Sequence, residues 1–287
     1  MRTEIERWLN QVWYTGQRPP WWLRALVPVY RAAFLLDRGI KQSRPSDLAD
    51  KPILVIGNLT VGGSGKTPLV IRLCKVLQDA GLKVGVASRG YGRSSSGLQV
   101  VNKDSDPQRV GDEPLLIAQR AGVAVIVAND RCAAAKALFD RGVDLVIADD
   151  GLQHHRLPRS MEICVVDGSR GFGNGLQLPA GPLREPLQRL QQVDHVVLNG
   201  ESDISVKLPK SVKMALVPGM LHALDQKLSW RLSQFSGCKA SAVAGIANPE
   251  RFFYSLEQAG IIVDPHSWPD HHAYTQQDFA GLNPDYP

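Results

Sequence analysis

Gly62-Gly63-Ser64-Gly65-Lys66-Thr67 follows the apolar run Ile53-Leu54-Val55-Ile56, and no other stretch of this 287-residue chain specifies chemistry so directly. Glycines allow successive backbone N–H groups to converge on phosphate oxygens at the mouth of a helix. A lysine in the next position adds a point charge on the terminal phosphates, and a threonine hydroxyl offers an oxygen to Mg²⁺. Thr60-Val61-Gly62-Gly63-Ser64-Gly65-Lys66-Thr67 therefore reads as a nucleotide-phosphate loop, with Thr60 standing where the first glycine of the usual pattern belongs. A chance glycine turn before a helix would not explain Lys66 and Thr67 together.

A second element of the same chemistry is Val143-Asp144-Leu145-Val146-Ile147-Ala148-Asp149-Asp150. An apolar strand ending in acids is the usual partner of a phosphate loop and holds Mg²⁺ directly or through water. Either Asp149 or Asp150 can fill that place. Asp112, in Gly111-Asp112-Glu113-Pro114, is open to two readings: a helix cap ahead of Leu115-Leu116-Ile117-Ala118, or a catalytic carboxylate. The adjacent pairs His154-His155 and His271-His272 raise a zinc hydrolase, but neighbouring histidines lack the i, i+4 spacing that places two ligands on one helical face.

These residues need a scaffold that alternates strands and helices. Apolar runs at 53–56, 84–87, 123–127, 145–148, 163–166 and 195–198 predict strands, and 67–80, 113–121 and 131–141 predict helices. Such alternation implies an α/β fold, a mostly parallel sheet covered by helices. Ser94 to Gly97 reads as a flexible loop. Val212, Met214 and Leu216, then Leu228, Trp230 and Leu232, alternate with polar residues and predict a two-stranded ribbon. Ala242–Ile246, Asn248-Pro249-Glu250 and Phe252–Ala259 predict strand, capped turn and helix. The expected division is thus residues 1–205 and a smaller α/β domain over 206–287.

The net charge of +5 is carried by the N-terminus: eight Lys/Arg stand against Glu4, Glu6 and Asp37 within residues 1–45, which leaves the rest neutral overall. Trp22, Leu26, Val29, Ala33 and Leu36 share one helical face, opposite Arg24, Arg31 and Arg38. The stretch is too interrupted to span a bilayer and lacks a signal-peptide pattern. It reads either as an interfacial helix with aromatic anchors or as a helix docked on the protein's own core. Pro28 would kink this helix or begin it. A nucleic-acid partner is disfavoured by the apolar face. No segment calls for an obligate protein partner. Cys74, Cys132, Cys164 and Cys238 are scattered, with no C-x-x-C pair, as suits a reducing compartment.

Taken together the chain resembles the tetraacyldisaccharide 4′-kinases, which phosphorylate the lipid A precursor. The resemblance rests on Gly57 to Pro68, including the irregular Thr60, and on Ser88-Arg89-Gly90-Tyr91-Gly92-Arg93, Val110 to Pro114 and Asp149-Asp150-Gly151-Leu152-Gln153-His154. Pro179 to Pro186, Gly245 to Pro249 and Pro269-Asp270-His271-His272 continue it in order. It implies a P-loop NTPase-like domain and a smaller α/β domain joined by a two-stranded hinge, with an N-terminal helix on the cytoplasmic face of the bacterial inner membrane. It further implies ATP and Mg²⁺ as cofactors, and an acylated disaccharide 1-phosphate as acceptor at its 4′-hydroxyl.

By the same resemblance Asp112 is the catalytic acid/base and His271 the histidine paired with it. Lys66 and Thr67 are the phosphate and magnesium residues, Asp149 and Asp150 the acidic pair, and Arg131, His154, Arg184 and Glu185 fall at active-site positions. Family members continue beyond this point with a strand bearing Thr-Glu-Lys-Asp and a returning helix, whereas this sequence stops at Asn283-Pro284-Asp285-Tyr286-Pro287. A second domain short of one strand is the expectation. The rival reading is a nucleotide-switch ATPase or GTPase of the partitioning or metallochaperone type. Such a switch has no need of a basic amphipathic N-terminus or of an Asp–His pair.

Overall fold

The computed structural model describes residues 2–43, 46–202, 204, 208–225, 227–246, 248–270 and 272–283. They form two compact units, residues 1–215 and 216–287. The first contains α1 (Arg2–Tyr14), α2 (Trp21–Gln42), β1 (Ile53–Gly57), α3 (Lys66–Asp79), β2 (Val84–Ser88) and β3 (Gln99–Val101). It continues with α4 (Pro107–Val110), α5 (Asp112–Ala121), β4 (Ala124–Val127), α6 (Arg131–Phe139), β5 (Leu145–Asp149), β6 (Met161–Asp167), β7 (His195–Asn199) and β8 (Ser211–Met214).

The eight strands form one sheet in the order β3-β4-β2-β5-β1-β6-β7-β8, parallel throughout except for β3, which runs antiparallel at the edge. Alternate residues of β1 face opposite sides. Ile53 and Val55 enter a core with Ala134, Ala135 and Leu138 of α6, while Leu54 and Ile56 enter another with Leu69 and Val70 of α3 and Ile117 of α5. Both faces of the sheet are thereby covered, so its central strands read as unbroken apolar runs.

Three expectations are corrected. β3 was not foreseen, because three residues at a sheet edge carry too weak a pattern. The residues around Val212 do not pair with those around Trp230. They form β8 and extend the main sheet in parallel beside β7, so the first unit ends after residue 215 rather than 205. The antiparallel ribbon joins β9 (Met220–His222) to β10 (Ser229–Arg231), within the second unit. Alternation marks a strand but not its partner.

That second unit also contains β11 (Lys239–Ala244), α7 (Pro249–Gln258) and β12 (Ile262–Ser267). β11 and β12 pair in parallel, and Leu232, Ala242, Ala244, Phe253, Leu256 and Ile261 form its core. The strand, turn and helix expected over 242–259 are present, with the strand beginning three residues earlier.

Helix α2 starts at Trp21 and runs through Pro28. Its docked side is not the side that the pattern singled out. Leu23 is buried with Val12, Trp13 and Ala180; the Tyr30 hydroxyl donates to the Arg184 carbonyl at 2.9 Å; and Phe34 meets His155 edge-on. Trp22, Leu26, Val29 and Leu36 stay exposed, as do Trp21, Leu35 and Ile40, and Trp22 stacks on Trp8 of α1. Among the described residues no helix is long and apolar enough to cross a membrane.

Candidate active site

The loop after β1 is built by its neighbours. Asn58, fully buried, donates from Nδ2 to the Gly62 carbonyl at 3.1 Å and accepts from Lys66 Nζ at 3.2 Å. Asn199, the last residue of β7, donates to the Ser64 carbonyl at 3.0 Å. Gly65 is required here: its φ is +89°, and a Cβ would lie 2.1 Å from Asn199 Nδ2. Thr60 replaces glycine without strain, because it forms a β-bridge to Leu183 and is not among the residues with positive φ. The Val61 N–H donates to the Pro182 carbonyl at 2.9 Å and the Arg184 N–H to the Leu59 carbonyl at 2.7 Å, so the 176–184 segment forms the loop's second wall.

Parallel pairing of β1 with β5 sets Ile56 opposite Asp149, bringing the acid pair alongside the loop. The two acids then part company. Asp149 is buried; its Oδ2 accepts from the Ser88 hydroxyl at 3.1 Å and its Oδ1 has no hydrogen-bond partner. Asp150, at φ +49°, turns away to Arg184 Nη1 at 3.2 Å and Lys66 Nζ at 3.5 Å. Burial, reinforced by the charges of Glu113 and Asp150, raises the Asp149 carboxyl to about 6. Burial also pushes Asp150 upward, but Lys66 and Arg184 outweigh it and hold that carboxyl at about 2.

These opposed shifts give a stability prediction for the ligand-free protein. A carboxyl whose folded value is raised binds its proton more tightly folded than unfolded. Its ionisation therefore costs stability as pH rises from the ordinary range of about 4 through about 6. Asp149→Asn should raise the Tm at pH 7.5 by about 2–4 °C and remove much of that difference at pH 4.5. Melting curves at the two pH values check this, and a variant that melts lower at pH 7.5 would contradict it.

On α5 the cap is Gly111, at φ +93°, and Asp112 is the first helical residue, exposed one position inside. The cap reading of Asp112 is thus corrected. Its neighbour Glu113 accepts from the Thr67 hydroxyl at 3.1 Å, joining α5 to the loop. Glu113 was not singled out from sequence, although it sits within the motif that drew attention to Asp112.

Arg131, the first residue of α6, is only 4% exposed; Nη1 donates to the Ala128 carbonyl at 3.2 Å and Nε lacks a partner. Burial lowers it to about 10 against the opposing pull of Asp149 and Asp150. His154 is held at about 4 by burial and then by Arg131, leaving its imidazole neutral. Glu185 accepts from Gln153 Nε2 at 2.9 Å, and Arg189 lies 3.7 Å from Glu185 and 2.5 Å from Glu162. Gln153 also donates to the Asn58 carbonyl at 3.2 Å and accepts from Arg184 Nη1 at 3.3 Å. Gln153, Arg189, Asn58 and Asn199 were missed, because no local pattern reveals a long-range side-chain bond. His271 lies outside the described residues. His154 and His155 diverge, the first toward Asp130 and the second onto Phe34, so they share no ligand site.

A parallel α/β sheet whose central strand leads into a lysine- and threonine-bearing glycine loop, beside a strand ending in a buried aspartate, defines a P-loop nucleotide-binding protein. Residues 19–286 match the family described as tetraacyldisaccharide-1-P 4'-kinase, LpxK, and the chain belongs to it. It is 46% identical over 280 residues to the tetraacyldisaccharide 4'-kinase of Xanthomonas oryzae pv. oryzae (strain PXO99A), covering 93% of this chain and 81% of that one. It is 45% identical to the Hahella chejuensis (strain KCTC 2396) enzyme of the same name, covering 98% and 84%. The crystal structure of LpxK from Aquifex aeolicus in complex with ATP superposes with a TM-score of 0.70 at 27% identity, over 91% of this chain and 85% of that one.

Proposed function

We propose that this protein transfers the γ-phosphoryl group of ATP to the 4′-hydroxyl of a tetraacyldisaccharide 1-phosphate. The observation that carries the reading is the convergence of Lys66, Thr67, Asp149, Asp150 and Arg184 on one loop, in a chain belonging to this kinase family across residues 19–286. Incubation with γ-labelled ATP and the acylated disaccharide should move label into the glycolipid. Release of labelled phosphate with none in the lipid would favour the nucleotide switch instead.

The loop N–H groups hold the phosphates, and Lys66 exchanges Asn58 and Asp150 for the terminal phosphate oxygens. Thr67, Glu113 and the unpartnered Oδ1 of Asp149 are hard oxygen donors suited to Mg²⁺. That ion, when bound with ATP, neutralises charge on the transferring group. Arg131 and Arg184 add fixed positive charge beside the same region. Asp112 accepts the proton of the sugar hydroxyl, and His271 is the second catalytic residue that the family resemblance implies. His154 and Glu185 support the site through Arg131, Gln153 and Arg189.

We further propose that α1 and α2 hold this site at the cytoplasmic surface of the inner membrane. Supporting it are the exposed Trp21, Trp22, Leu26, Val29, Leu35, Leu36 and Ile40 and the basic residues of the first 45 positions. Deleting residues 1–40 would also remove Trp13 and Leu23 from the body, so charge substitution is the cleaner test. Val29→Glu with Leu36→Glu should abolish most sedimentation with anionic vesicles while leaving the melting curve unchanged, and raised salt should partly release the unaltered protein. Equal sedimentation of both forms would assign α2 to docking alone.

A further inference from the structure

The loop phosphates, acids and membrane face leave one cluster unused, at the N-terminus of α6. Asp130 precedes the helix, Cys132 is its second residue and His154 follows the acid-bearing strand. One ligand atom from each lies within 4.8 Å of the other two. Two further polar atoms face this spot: Nε2 of His154, 3.6 Å from Asp130 Oδ1, and Oγ of Ser46, which neighbours the Cys132 thiol.

We propose that Asp130, Cys132 and His154 form a site for a thiophilic divalent transition metal, best matched by Zn²⁺. The donor set of one imidazole nitrogen, one sulfur and one carboxylate oxygen is that of zinc, and three protein ligands leave a fourth position open to water or to Ser46. Tetrahedral coordination sets ligand atoms roughly 3.5 Å apart, a contraction within reach of side-chain rotation. Cys132 loses its thiol proton to solvent on binding. The resulting complex of Zn²⁺, thiolate, carboxylate and neutral imidazole carries no net charge, so Arg131, Arg156 and Lys41 nearby do not oppose it. Arg156 Nη1 holds the other Asp130 oxygen at 2.7 Å, an outer partner that orients the carboxylate.

Neither histidine pair hinted at this site, because its ligands are contributed by separate elements. Asp130 and Cys132 flank Arg131, and His154 lies four residues beyond Asp150, so an ion there ties together two segments of the candidate active site. Binding itself is independent of the kinase reading.

The test titrates metal-stripped full-length protein with Co²⁺ in the absence of ATP. One equivalent should bind with a sulfur-to-cobalt charge-transfer band that Zn²⁺ abolishes. Cys132→Ser should lose the band, Cys238→Ser should keep it, and His154→Gln should weaken Co²⁺ binding by about tenfold or more. Thermal melts establish that each variant is folded. Protection of Cys132 from alkylation by Zn²⁺ in the unaltered protein, read by peptide mass, answers the question without any variant. No charge-transfer band, a band that survives Cys132→Ser, unchanged affinity in His154→Gln, or no protection of Cys132 would each overturn the site.

Discussion

Lys66→Ala is expected to lower kcat by about 10²–10³, because it removes a positive charge preorganised toward the group whose charge grows in the transition state. The fold should survive. Lys66 is the first residue of α3, buried beside Asn58 and Asp150, and Arg184 still pairs with Asp150 when it is gone. Losing the cation with the largest lowering effect leaves Asp150 less strongly depressed, an effect visible as a shift of the acid limb of the melting profile toward higher pH. Since that carboxyl is held low when folded, its stabilisation is present above the unfolded value of about 4 and lost as pH falls toward about 2. Measured kcat alongside circular dichroism separates the roles. A folded Lys66→Ala protein turning over at a normal rate would remove the loop from the chemistry.

Asp112→Asn is expected to lower kcat by roughly 10²–10⁴ at nearly unchanged affinity for ATP, the signature of a lost general base. The position of Asp112 sharpens this experiment. Gly111 is the cap of α5 and stays in place in Asp112→Asn, so the Tm of the variant is read beside its kcat. A large kinetic loss with a Tm within a few degrees of the original is therefore not a folding artefact. The partner proposed for it, His271, is tested by kinetics: if the two act as a unit, Asp112→Asn combined with His271→Ala should be far less damaging than the product of the separate effects. Losses that multiply independently would dissolve the pair. An active Asp112→Asn enzyme would return the proton to another acceptor.

How much of this was legible beforehand depends on the range of the interaction. The apolar runs that became β1, β2, β4, β5, β6 and β7 declare themselves over four to seven residues, since burial on both faces favours apolar side chains. The phosphate loop declares itself for the same reason, its strand, glycines, lysine and threonine being consecutive. By contrast β3 and the true partner of the 228–232 strand were invisible or misassigned. The free energy that selects a pairing comes from a distant strand and leaves no trace in the segment's own periodicity.

The sequence by itself determined the alternating α/β scaffold, the nucleotide loop, the pair of acids at the end of β5, the amphipathic N-terminus and, through its ordered motifs, the family. Tertiary structure decided which acid does what. Asp149 and Asp150 are chemically identical neighbours, but one is sealed beside Ser88 with a free oxygen while the other swings onto Lys66 and Arg184. It also decided that α2 docks through Leu23, Tyr30 and Phe34 and leaves the apolar stripe around Val29 and Leu36 outside. Glu113, Gln153, Asn199 and Arg189 entered the site only when folding carried them there. Periodicity records what each segment must bury, whereas the convergence of polar side chains depends on strand order, and that is settled by the whole chain at once.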